Sequence, residues 1–146
     1  MTQYRILVAD AARARLFSRE KKFSPPVEID SLVHPESRLR RQDLVSDRPG
    51  QVFESRTPGE NINEEPTDPR TAEAASFARE LAHKLREDRV HGGYKHLIVV
   101  AEPRLLGMLR KALDDDTRQT VVLEISRNLT RAKVGEIAEA IDTELQ

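Results

Sequence analysis

Two short stretches of this chain are apolar without interruption: ILVA at residues 6–9 and LIVVA at 97–101. A strand that is half exposed alternates apolar and polar residues, so an unbroken apolar run of this length predicts a strand covered on both faces, as in the interior of a sheet flanked by helices. The rest of the chain has to supply those covers.

The first run sits in YRILVA (4–9), and RARLFS (13–18) follows after a turn at Asp10 to Ala12, too short for anything but an antiparallel hairpin. VEIDSLVH (27–34) comes after Pro25 and Pro26, and its alternation of Val27, Ile29 and Val33 with Glu28 and Asp30 predicts a half-buried third strand. Helical spacing begins near residue 68. Asp68 is placed to cap a helix that has Pro69 at its first position, Ala74, Phe77, Ala78, Leu81 and Leu85 on one face, and Gly92 and Gly93 at its end. HLIVVA (96–101) is the fourth strand. A second helix from Pro103 buries Leu105, Leu106, Leu109, Ala112 and Leu113. VVLEI (121–125) is the fifth strand, and a last helix buries Val134, Ile137, Ala138, Ile141 and Leu145.

The order β-β-β-α-β-α-β-α predicts an α/β fold. Right-handed crossovers make the later strands parallel, and the opening meander supplies antiparallel neighbours, giving a five-stranded mixed sheet with helices on its faces. The length of 146 residues suits a single domain, 1–146. One part does not fit the pattern. Residues 35–68 form a connection far longer than the usual 2 to 6 residues, and such connections are commonly functional or disordered.

Within it, residues 37–56 hold five arginines, Arg38, Arg40, Arg41, Arg48 and Arg56, among three acids, Asp43, Asp47 and Glu54. Residues 57–66 carry Glu60, Glu64 and Glu65 and no base, so charge is segregated inside a chain whose net charge is only −1. Guanidinium groups match phosphate oxygens in bidentate geometry, and the aspartates can orient them. One reading is therefore a segment that grips phosphates. The other is that Leu39, Leu44, Val45 and Val52 fold it onto its own sheet or into a homodimer contact, with Arg–Asp pairs serving structure. Asp47-Arg48-Pro49-Gly50 has the residue types of a tight turn. Arg13, Arg15 and Arg104 flank strand ends, where ligands collect in open α/β sheets, and extend the cationic set.

Other chemistries have less support. There is no cysteine, so disulfide and thiolate chemistry are excluded. His34, His83, His91 and His96 lack metal-ligand spacing, and His34, just before a proline, reads as a loop residue. Neither a metal nor a cofactor is expected. Asp10, Glu73, Glu80 and Glu102 are the acids that could converge on divalent cations for phosphodiester cleavage, although Asp10 equally suits a hydrogen-bonding residue of a strand-end turn. Asp114 to Asp116 lack the alternation of a calcium loop and read as a helix end and turn. Asn128-Leu129-Thr130 matches a glycosylation sequon, which carries no weight in a chain expected to be cytoplasmic. That expectation rests on the absence of a signal-like N-terminus and of any run near the roughly 20 apolar residues a membrane span needs.

VADAARARLF (8–17), HPESRLRRQDLVSDRPGQVFES (34–55), TDPRTAEAASFARELAHKL (67–85) and EPRLLGML (102–109) together resemble the bacterial family described as required for attachment to host cells. The most specific part is the run from Arg38-Leu39 through Asp43-Leu44-Val45-Ser46-Asp47-Arg48-Pro49-Gly50. That family is distantly similar to the middle domain of archaeo-eukaryotic peptide release factors, and the similarity implies a ribonuclease-H-like fold. In release factors the corresponding connection carries a Gly-Gly-Gln motif that enters the ribosome. No Gly-Gly-Gln lies between residues 35 and 70 here, so the resemblance implies contact with RNA, the ribosome or another polyanion rather than peptidyl-tRNA hydrolysis.

Overall fold

The computed structural model describes residues 3–34 and 69–146, with side chains from residue 71 in the second part. Five strands, β1 (Tyr4–Ala9), β2 (Arg13–Arg19), β3 (Val27–Val33), β4 (His96–Ala101) and β5 (Val121–Ser126), form one sheet in the order β3-β2-β1-β4-β5. β1 pairs with β2 and β2 with β3 antiparallel, whereas β4 runs parallel to both β1 and β5. The helices are α1 (Pro69–Val90), α2 (Pro103–Ala112), α3 (Asp115–Arg118) and α4 (Val134–Leu145).

The unbroken apolar runs have the expected cause. Leu7, Ala9, Leu97, Val99 and Ala101 face one core with Phe77, Leu81 and Leu85 of α1 and Leu105 and Leu109 of α2. Their neighbours Ile6, Val8, Ile98 and Val100 face a second core with Ile137 and Ile141 of α4. Because side chains alternate along a strand, both registers of β1 and β4 have to be apolar when both faces are covered.

Two expectations change. β3 is an edge strand, and Val27, Ile29 and Val33 are 61%, 47% and 49% exposed rather than half-buried together. The place of β3 at the sheet edge leaves both faces thinly covered, and a bulge splits the apolar residues between them: Leu16 pairs with Asp30 and Phe17 with Glu28, which leaves Ile29 unpaired and reverses the facing of residues on either side of it. Leu32 is the β3 residue that packs on the core. Secondly, Asp114 follows the end of α2 as expected, but Asp115 and Asp116 open a helix instead of forming a turn, and Asp114 has a further role. It caps the one-turn helix α3, accepting from the Thr117 N–H and hydroxyl, and that hydroxyl bond holds its carboxyl below the usual carboxylate range. His34 lies just past β3, outside any strand, as its place before a proline predicts, and it is fully buried. Its ring stacks on Phe77 at 4.9 Å, its Nδ1 lies 3.3 Å from Glu80 Oε2, and its N–H donates to the Ala12 carbonyl.

At the opposite end of the sheet, Gly92 takes φ +78° and turns the chain out of α1. Tyr94 follows, buried, with its hydroxyl donating to the Leu85 carbonyl at 2.8 Å. Burial pushes this phenol up to about 12, although Arg5 and Arg89 pull the other way. A pKa raised on folding gives stability that is intact below the unfolded value near 10 and is lost as pH climbs through the folded one. Ultraviolet titration is therefore expected to show one late phenolate, absent in Tyr94→Phe, and the wild-type denaturation midpoint should fall between about pH 10 and 12 more than that of the variant.

Candidate functional site

Strand register places one row of residues at a single edge of the sheet. Val33 is opposite Arg13, Ala14 opposite Ala9, Ala9 opposite Ala101 and Ala101 opposite Ser126. The carboxyl ends of the parallel strands β1, β4 and β5 and the end of β3 therefore coincide. α1 runs toward the far edge: Phe77 and Glu80 meet His34, Lys84 meets Asp30, and Asp88 meets Arg5 at the start of β1. Its first residues thus lie at the carboxyl edge too. Residues 35–68 leave and rejoin the described fold there.

Asp10 organises this edge. Its Oδ1 accepts from the N–H groups of Ala12 (2.8 Å) and Arg13 (2.9 Å), closing the β1–β2 turn. Its Oδ2 accepts from Asn128 Nδ2 (3.3 Å) and the Thr130 hydroxyl (2.9 Å), tying that turn to the loop after β5. Asn128 Oδ1 in turn accepts from the Thr130 N–H at 3.0 Å. Aspartate and asparagine favour such local side-chain bonds, which stand in for a backbone ladder.

Glu102 caps α2, with Oε1 accepting the Arg104 N–H at 2.6 Å. Asp10, Glu102, Arg13, Asn128 and Arg131 line a cleft of about 240 Å³. A groove of about 550 Å³ adjoins it and shares Ala12 and Arg13; its walls include Arg15, Glu28, Ser31, Val33 and Thr130.

The arginines at this edge divide into two kinds. Arg15 is committed: it donates to the carbonyls of Thr130 (3.1 Å) and Ala132 (2.7 Å), pairs with both Glu28 oxygens and lies over the Phe17 ring. The side chains of Arg13, Arg127 and Arg131 are exposed and make no hydrogen bond or ion pair among the described residues. Arg104 is exposed on the first turn of α2.

Of the four acids weighed for catalysis, Asp10 and Glu102 share the cleft. Glu80 pairs with His34 and Glu73 is buried on α1. No group of three or more acids and histidines suited to a metal ion occurs among the described residues. Arg38, Arg40, Arg41, Asp43, Asp47, Arg48 and Arg56 lie outside the described residues. Sequence reasoning missed Arg127, Asn128, Thr130 and Arg131. Their signal was an Asn-x-Thr turn directly after a parallel strand, at the edge where ligands gather.

No helix among the described residues is long and apolar enough to cross a membrane. The sequence profile of the family described as "Protein required for attachment to host cells" matches residues 5–141. An uncharacterized protein of Rickettsia prowazekii is 28% identical over 115 residues, which is 77% of this chain and 71% of the relative.

Proposed function

Because the chain belongs to the family of proteins required for attachment to host cells, we propose that it is a non-catalytic binding protein that holds RNA, the ribosome foremost, through phosphate contacts from residues 37–56 and the adjoining sheet edge. The family's description names a phenotype, and an RNA-binding protein can produce it indirectly. The observation that carries the reading is the carboxyl edge itself: the side chains of Arg13, Arg127 and Arg131 are exposed there without an ion pair among the described residues, and His34 and Pro69, which flank residues 35–68 in sequence, lie at the same edge. Cations gathered along one edge can engage successive phosphates of one strand.

A hydrolytic reading has one observation in its favour, the shared cleft of Asp10 and Glu102. Yet both Asp10 oxygens are already acceptors for four protein donors, and Glu102 serves as a helix cap. Binding is the better use of this geometry.

Fluorescence anisotropy with a labelled single-stranded RNA tests the proposal. Affinity should fall with salt on a log–log slope of about 0.7 for each phosphate engaged. RNA whose anisotropy stays flat at micromolar protein and low salt would end the polyanion reading.

A further inference from the structure

We propose that the cleft between Arg13 and Arg131 is a binding site for a phosphate monoester, carried by a mononucleotide or by the end of an oligonucleotide. This deepens the polyanion reading and rests on it for the sign of the ligand's charge.

Formal charge does not decide the matter, since Arg13 and Arg131 face Asp10 and Glu102 across the same cleft. Hydrogen-bonding capacity does. Asp10 already receives four donors, from Ala12, Arg13, Asn128 and Thr130, and Glu102 receives the Arg104 N–H. The acceptor capacity of Asp10 is thus largely used within the protein, and Glu102 commits one oxygen to its helix cap. The donor capacity of the cleft is not used: neither guanidinium has a partner among the described residues, and each offers five N–H donors in a planar fork. What the cleft lacks is an acceptor with several oxygens, and phosphate matches the guanidinium fork. A monoester, with three unesterified oxygens, can satisfy two forks together.

The surroundings favour a phosphate with something attached. The cleft shares Ala12 and Arg13 with the 550 Å³ groove, where Leu32 and Val33 offer apolar surface beside Ser31. That volume lies in the usual range for small-ligand sites, and its mixed lining suits a nucleoside. The walls are also fixed in place before any ligand arrives, because Asp10 ties the β1–β2 turn to the loop after β5. A backbone already fixed spares part of the ordering cost of binding.

Calorimetric titrations of the full chain with inorganic phosphate, adenosine 5′-monophosphate and adenosine test this directly. The two phosphates should bind and adenosine should not. Arg13→Gln and Arg131→Gln should each weaken the monophosphate about tenfold, the loss of one charge-assisted contact. A variant with Arg38, Arg40, Arg41, Arg48 and Arg56 all changed to glutamine should keep monophosphate affinity even as it loses RNA. Tighter binding of a 5′-phosphorylated than of a 5′-hydroxyl oligoribonucleotide, abolished by Arg131→Gln, would put a polymer end in the cleft. Equal binding of the two, with the monophosphate still bound, would assign a mononucleotide. Monophosphate binding that is absent, or unchanged in both single variants, overturns the proposal while leaving RNA binding intact. Monophosphate bound with no RNA bound overturns the polyanion reading instead.

Discussion

Changing Arg38, Arg40, Arg41, Arg48 and Arg56 together to glutamine is expected to weaken RNA binding by at least about a hundredfold at low salt. Each phosphate contact on a single strand contributes about 0.7 to the log–log salt slope, so five lost contacts would remove up to about 3.5 from it. The slope is the more telling quantity. A substitution that merely misfolded a fraction of the protein would lower the apparent affinity at every salt concentration and leave the slope alone, whereas removal of phosphate contacts flattens it. Arg13, Arg127 and Arg131 remain in this variant and should sustain a shallow residual slope. If the five-arginine variant binds RNA with an unaltered slope, the segment does not touch phosphate and its charges serve the fold.

The largest effect on stability is expected at the contact that docks α4. The Arg19 side chain is completely enclosed, and its Nη1 donates to Asp142 Oδ1 at 2.9 Å. Its Nε and Nη2 have no hydrogen-bond partner among the described residues, and the guanidinium lies 5.7 Å from the Tyr4 ring centroid. A buried cation with a single carboxylate partner is poorly compensated, so removing that partner strands the charge, at a cost of about 3 kcal/mol for Asp142→Ala. The carboxylate's own side chain is 29% exposed, which lets water replace part of the lost interaction and places the estimate at the low end of the buried-pair range. Replacing the arginine removes the charge and its desolvation together. Arg19→Met should therefore cost at most about 1 kcal/mol, and adding it to Asp142→Ala should restore most of the lost stability. Denaturant midpoints of the three variants measure this. Equal losses for the two single variants, with no recovery in the double, would show that the contact is not limited by an unpaired charge.

The sheet was legible in the sequence because its two central strands have to be apolar in both registers, a pattern that no half-exposed strand shares. The faces of α1, α2 and α4 followed from 3.6-residue spacing, and Leu81, Leu105 and Ile137 are buried as that spacing requires. β3 was misread because one unpaired residue, Ile29, inverts a period-two pattern, and nothing local announces a bulge. The position of His34 outside the strands was legible, but its burial was not. A histidine before a proline has no local preference for burial, and the tertiary approach of Phe77 and Glu80 helps form its pocket. The cleft was half legible. Asp10 and Glu102 were identifiable as strand-end acids, but two of the donors to Asp10, Asn128 and Thr130, come from a loop over a hundred residues away in sequence, where they looked like a sequon.

Amide chemical-shift mapping on the labelled protein, with and without a short single-stranded RNA, tests the location of the partner most directly. The expected perturbations fall on Asp10 to Arg13, Glu102 to Arg104 and Arg127 to Arg131 and diminish as salt rises. Perturbations confined to the far edge, around Gly92 to Lys95, or spread over α1 and α2 without reaching Asp10, would contradict a phosphate-binding carboxyl edge.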